Sequence, residues 1–179
     1  MPTRSVLTKT SLVGSIVAVV LQAHSMQSGN KMPSPPATAD VTLKGQQITI
    51  AYSRPSMRGR KIMGDVVPYG RVWRTGANEA TTLTTPVDLN IGGTNVPAGK
   101  YTLWTLPGEN GWKLIINKQT GQWGTSYDES QDLARIDMQK SQTAAVEQFT
   151  ISWKKTGENS ADLVLEWEST RVSVAVRAK

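Results

Sequence analysis

The chain contains no cysteine, and its single histidine, His24, lies near the N-terminus. Without cysteine there is no disulfide, so stability has to come from the packed core. Cys-His chemistry is excluded, as are the usual Cys/His zinc, copper and haem sites. Long hydrophobic runs are also lacking. The longest, SLVGSIVAVVL from Ser11 to Leu21, is too short to span a bilayer comfortably. Preceded by Arg4 and Lys9 and followed by Gln22-Ala23-His24-Ser25, it reads as a secretory signal peptide over residues 1–25. Its cleavage would remove His24 and with it any Ser-His-Asp mechanism. No cysteine is there to carry a lipid anchor, and no stable membrane span is expected after cleavage.

Charge of one sign is scarce as well. The chain has 20 basic and 14 acidic residues, and without Arg4 and Lys9 the balance is 18 against 14, or +4. So mild an excess on an exported chain fits a solvated surface and gives no reason to expect nucleic acid as a partner. Residues 26–38, MQSGNKMPSPPAT, carry Pro33, Pro35 and Pro36 and are expected to form an extended linker. Residues 39–179 are then one domain, large enough for a core of its own.

What is present is alternation. Ile48, Ile50 and Tyr52 recur with period two, as do Trp112, Leu114 and Ile116. So do Phe149, Ile151 and Trp153; Leu163, Leu165 and Trp167; and Val172, Val174 and Val176. Tyr101 and Leu103 oppose Trp104 and Leu106, which points to a strand covered on both faces. Gly92-Gly93, Pro97-Ala98-Gly99, Pro107–Gly111 and Thr156–Asn159 supply turns at hairpin spacing. Thr81–Thr85 and Val87–Ile91 add strands around Pro86, and 128–145 can hold one helical turn and a further strand. These features predict an all-β domain: an antiparallel β-sandwich of about nine strands, with a long Arg/Gly-rich loop.

That loop belongs to the distinctive segment Tyr52–Thr81, which holds five of the nine arginines and four glycines but only Asp65 and Glu79 as acids. Guanidinium groups bind carboxylate or phosphate in bidentate fashion, so Arg54, Arg58, Arg60 and Arg74 could cradle an anion. Asn78 can both donate and accept toward a hydroxyl. Trp73 and Trp123 flank loops, where an indole could stack on a sugar ring, while the other four tryptophans sit in strand-like alternation. The candidate ligand-binding residues are therefore Arg54, Arg58, Arg60, Trp73, Arg74, Asn78 and Glu79. The competing expectation is that these charges staple the loop to the sheet, with Arg74 paired to Glu79.

The stretches YSRPSMRGRKIMGDVVPYGRVWRTGANEATTLT, VPAGKYTLWTLPGENGWKLIINK and QWGTSYDES resemble the DUF2911 family, exported bacterial proteins of unassigned function. The resemblance spans roughly residues 40–176. It implies an all-β domain and export, to the periplasm, cell surface or medium. It brings no catalytic residue, metal or cofactor with it.

Two functional classes follow. One is a non-enzymatic binding module for a small anionic or hydroxylated ligand, a glycan or peptide. The other is a hydrolase acting through carboxylates drawn from Asp65, Glu79, Asp128 and Glu129, which requires two of them about 5–10 Å apart in one cleft. A structural or assembly role is a third alternative. No cofactor or metal is implied, since the acids form no spaced calcium-loop pattern.

Overall fold

The computed structural model of the chain describes Met1 and residues 33–179. The expected signal peptide and most of the expected linker lie outside the described residues. The described residues 33–179 belong to one compact unit. Nine strands build it: β1 Pro36–Leu43, β2 Gln46–Ser53, β3 Thr82–Thr85, β4 Leu89–Ile91 and β5 Thr94–Val96. β6 Gly99–Leu106, β7 Trp112–Asn117, β8 Asp132–Lys155 and β9 Ser160–Ala178 complete them. All pair antiparallel in one sheet of order β1-β2-β3-β6-β7-β8-β9-β4-β5. The helical structure among the described residues is one 3-10 turn, Glu129–Gln131, and no helix is long and apolar enough to cross a membrane.

The sheet folds over a single core. Ala39, Val41 and Leu43 of β1 meet Ile48, Ile50, Leu83, Leu103, Leu114, Ile151 and Leu163 in one buried cluster. Side chains tie its two halves together. The Tyr52 hydroxyl accepts from the Ile151 amide at 3.0 Å, and the Trp153 indole donates to the Ala39 carbonyl at 3.2 Å. Tyr101 and Leu103 face this cluster, whereas Trp104 is buried outside it against Tyr127, so β6 is covered on both faces as the sequence suggests.

The expected number of strands is met by different strands. β1 begins at Pro36, inside the segment expected as linker; proline is tolerated there because the first residue of an outer strand need not donate to a ladder. Asp132–Lys155 runs as one strand, and so does Ser160–Ala178, where the sequence pattern suggests two apiece. In β8 the buried positions change from even numbers (Ile136, Met138) to odd (Phe149, Ile151); in β9 they change from odd (Leu163, Leu165, Trp167) to even (Val172, Val174, Val176). A register shift between Gln142 and Thr150, opposite the positive-φ residue Glu168, reverses the facing of both strands at one level.

Candidate functional site

The arginine-rich loop lies over that irregularity. β9 leaves residues 147–149 of β8 without ladder partners, and the loop supplies them. The Met57 amide donates to the Glu147 carbonyl at 2.8 Å, and the Phe149 amide donates to the Pro55 carbonyl at 2.9 Å. Arg54 reinforces the join, donating from Nε to the Phe149 carbonyl at 3.2 Å and from Nη2 to Thr150 Oγ1 at 2.8 Å. Arg58 donates to the Pro33 carbonyl, and Arg60 curls back onto the carbonyls of Ser56 and Met57. The Glu168 carboxylate receives the amides of Ile62 and Met63 at 3.3 and 3.2 Å. The loop then drops Ile62 and Val67 into the core. Three of the four cradle arginines thus hydrogen-bond to backbone carbonyls and gather no anion site.

Trp73 is likewise a core residue, 8% exposed, stacked on Trp167 and edge-on to Trp112 and Phe149. The cavity beside this aromatic cluster measures about 10 Å3, room for about one water and no ligand. Asn78 adopts φ 60° and donates from its amide to the Ser34 carbonyl at 3.2 Å and Ser53 Oγ at 3.4 Å. It fastens the entry to β1 to the end of β2.

Arg74 and Glu79 do not pair. Among the described residues neither makes an ion pair, and Arg74 makes no side-chain hydrogen bond. The Arg74 stem lies instead on Gly124, where a Cβ would come within 2.8 Å of its Cδ and 2.6 Å of the Asn78 carbonyl. Gly124 therefore permits a close crossing of two backbones, sealed by its amide donating to the Asn78 carbonyl at 3.0 Å.

Glu79 is exposed and lines a cleft of about 500 Å3. The cleft is lined by Pro36, Ala37 and Thr38 of β1, by Ala51, Tyr52 and Ser53 of β2, and by Glu79, Ala80 and Thr82. Thr38, Ala51 and Thr82 stand in register across three strands, so the floor is made of small side chains. Glu79 is opposed to Trp123 in an isolated antiparallel bridge; Trp123 is 51% exposed and does not itself line the cleft. The sequence singled out this tryptophan for its place beside a loop but did not join it to Glu79, which is 44 residues away along the chain.

The remaining acids are engaged elsewhere. Asp128 caps the 3-10 turn through the Ser130 amide, and Glu129 pairs with Arg135 at 2.7 Å. Arg135 also holds Asp132 at 2.9 Å, and Asp132 in turn accepts from the Tyr127 hydroxyl at 2.6 Å. Burial and then that bond to Asp132 push the Tyr127 hydroxyl up to about 12. This knot anchors the 118–131 connection that carries Trp123. Asp65 is exposed and does not line the cleft. Among the described residues no three Asp or Glu side chains gather as a cation site.

The profile of the family described as protein of unknown function, DUF2911, matches residues 34–176. The chain belongs to this family. Neither the curated proteins nor the solved structures contain a match to it. The DUF2911 profile covers the whole sheet from the approach to β1 into β9, and with it the cleft lining and Trp123.

Proposed function

We propose that this DUF2911 domain is a non-catalytic binding module whose site is the cleft between β1, β2 and Glu79, and whose ligand is hydroxylated. One observation carries the reading: of the seven candidate residues, Glu79 alone lines an open cleft. The cleft has the size of a small-molecule site. Its polar groups, the Glu79 carboxylate and the Thr38 hydroxyl, suit a ligand that offers hydroxyl groups. Two-carboxylate hydrolysis has less support here, because Glu79 is the one acid among the described residues lining the cleft. On the character of residues 1–25 we further propose that the domain works after export.

Thermal shift with a panel of neutral glycans, acidic glycans, peptides and phosphates tests this reading. A true ligand at a hundred times its Kd stabilises the fold by about 2.7 kcal/mol, a readily measured rise in Tm. The exposed floor residue Ala51, changed to Trp, should fill the cleft and abolish the shift, while Arg60→Ala should leave it intact. No shift across the panel, or a shift that survives Ala51→Trp, defeats the proposal.

A further inference from the structure

We infer that the ligand is an uncharged sugar chain, held between the indole of Trp123 and the carboxylate of Glu79; this rests on the cleft being the binding site. Residues directly opposed in an antiparallel pair project to the same side, with Cβ atoms about 5 Å apart. The Glu79–Trp123 bridge therefore places an exposed indole beside the exposed carboxylate that lines the cleft, although the indole itself is not part of the lining. A pyranose ring matches that pairing. Its C–H face packs on an aromatic face, and its edge hydroxyls donate to a carboxylate in charge-assisted bonds.

The exposure of Trp123 is built in. Its neighbours on both sides are fastened: the Ala80 amide donates to the Gln122 carbonyl at 3.3 Å, and the Gly124 amide donates to the Asn78 carbonyl at 3.0 Å. The Trp123 carbonyl accepts from the Ser126 amide at 2.9 Å, which fixes the turn that follows. The other five tryptophans are buried or packed against the core. An indole on such a tethered backbone is presented with little left to order on binding, the condition that favours affinity.

Charge then selects within the sugars. Among the described residues, Glu79 is the only ionisable acid or base lining the cleft, apart from the Tyr52 phenol. Arg54, Arg58 and Arg60 are turned to backbone carbonyls, and Arg74 does not line the cleft. A uronate would set its carboxylate against Glu79, and among the described residues the cleft lining itself offers no cation to offset the repulsion, Arg74 having its stem packed on Gly124. The small side chains of Thr38, Ala51 and Thr82, in register across three strands, leave the groove floor low enough for a chain to lie along it.

Titration of the full chain with cellohexaose, xylohexaose, hexagalacturonate and a polyalanine peptide, followed by tryptophan fluorescence and calorimetry, tests the inference. A neutral hexasaccharide should bind and shift the emission of the exposed indole to the blue. Trp123→Ala should weaken binding about tenfold, the loss of one stacking contact. Both Trp123 and Glu79 are exposed, so Trp123→Ala and Glu79→Gln should fold like the parent, which circular dichroism checks. Glu79→Gln should weaken the neutral sugar as well. Neutral sugars that bind equally well to Trp123→Ala would overturn the inference. So would binding of hexagalacturonate or the peptide alone; if Ala51→Trp abolishes that binding, the binding-module reading survives without the sugar. Failure of every probe removes both.

Discussion

Trp73 and Trp123 sit in comparable sequence surroundings, each next to glycine-bearing turns, yet one is in the core and the other is exposed opposite Glu79. The difference is the partner segment. Trp73 exchanges backbone hydrogen bonds with Thr105 at 2.8 and 3.0 Å, which brings it over the core face of β6. Trp123 is bonded through its neighbours to 78–80, which face outward. At this scale the tightest constraint is Gly124, whose missing side chain lets the Arg74 stem and the Asn78 carbonyl approach. Gly124→Ala should cost about 1–3 kcal/mol, as overpacking does, and should also displace Trp123. Urea denaturation reads the first effect, and the accessibility of Trp123 to acrylamide reads the second. An unchanged midpoint would mean that the crossing is looser than it looks.

At the scale of elements, the Arg/Gly-rich loop is a piece of the sheet. It completes β8 where β9 shifts register, and Arg54 bonds to the Phe149 carbonyl there, while Arg58 and Arg60 bond to carbonyls of Pro33, Ser56 and Met57. An arginine-rich loop reads equally well as an anion cradle or as a staple, because the sequence states donors and not acceptors. For Arg54 the acceptors are residues 95 and 96 positions away, whereas those of Arg60 are only 3 and 4 away. The same holds for Glu168, which is unremarkable in sequence yet receives two loop amides. Glu168→Gln leaves one acceptor oxygen for two donors and sets an amide NH2 against an N–H. We expect a loss of about 1–2 kcal/mol, seen locally as faster hydrogen exchange at Ile62 and Met63. Equal protection of those amides in the variant would show that core packing of Ile62 and Val67 holds the loop without Glu168.

At the scale of the molecule, one continuous sheet wraps one core, and the outermost strand β1 is tied to β8 through Trp153 and Ala39. Few contacts could break without loosening the rest. Far-ultraviolet dichroism and tryptophan emission should therefore report one coincident unfolding transition. Refolding should take milliseconds to seconds, since contacts such as that of β1 with β8 and the pairing of β4 with β9 must close long loops first. Two separated transitions would mean that β4, β5 and β9 melt as a unit of their own.

Alternation of apolar residues determined the strands, and glycine and proline determined most of the turns, because both act over a few residues. Composition removed cysteine chemistry, since the chain has no cysteine. The reversal of facing in β8 and β9 was also written in the sequence, though it reads there as a boundary between strands. Which arginines bond to carbonyls, which tryptophan remains exposed, and the meeting of Glu79 with Trp123 were decided only by the tertiary structure. Those outcomes depend on what faces each residue across the sheet, and register between distant strands is set by the packing of the whole core.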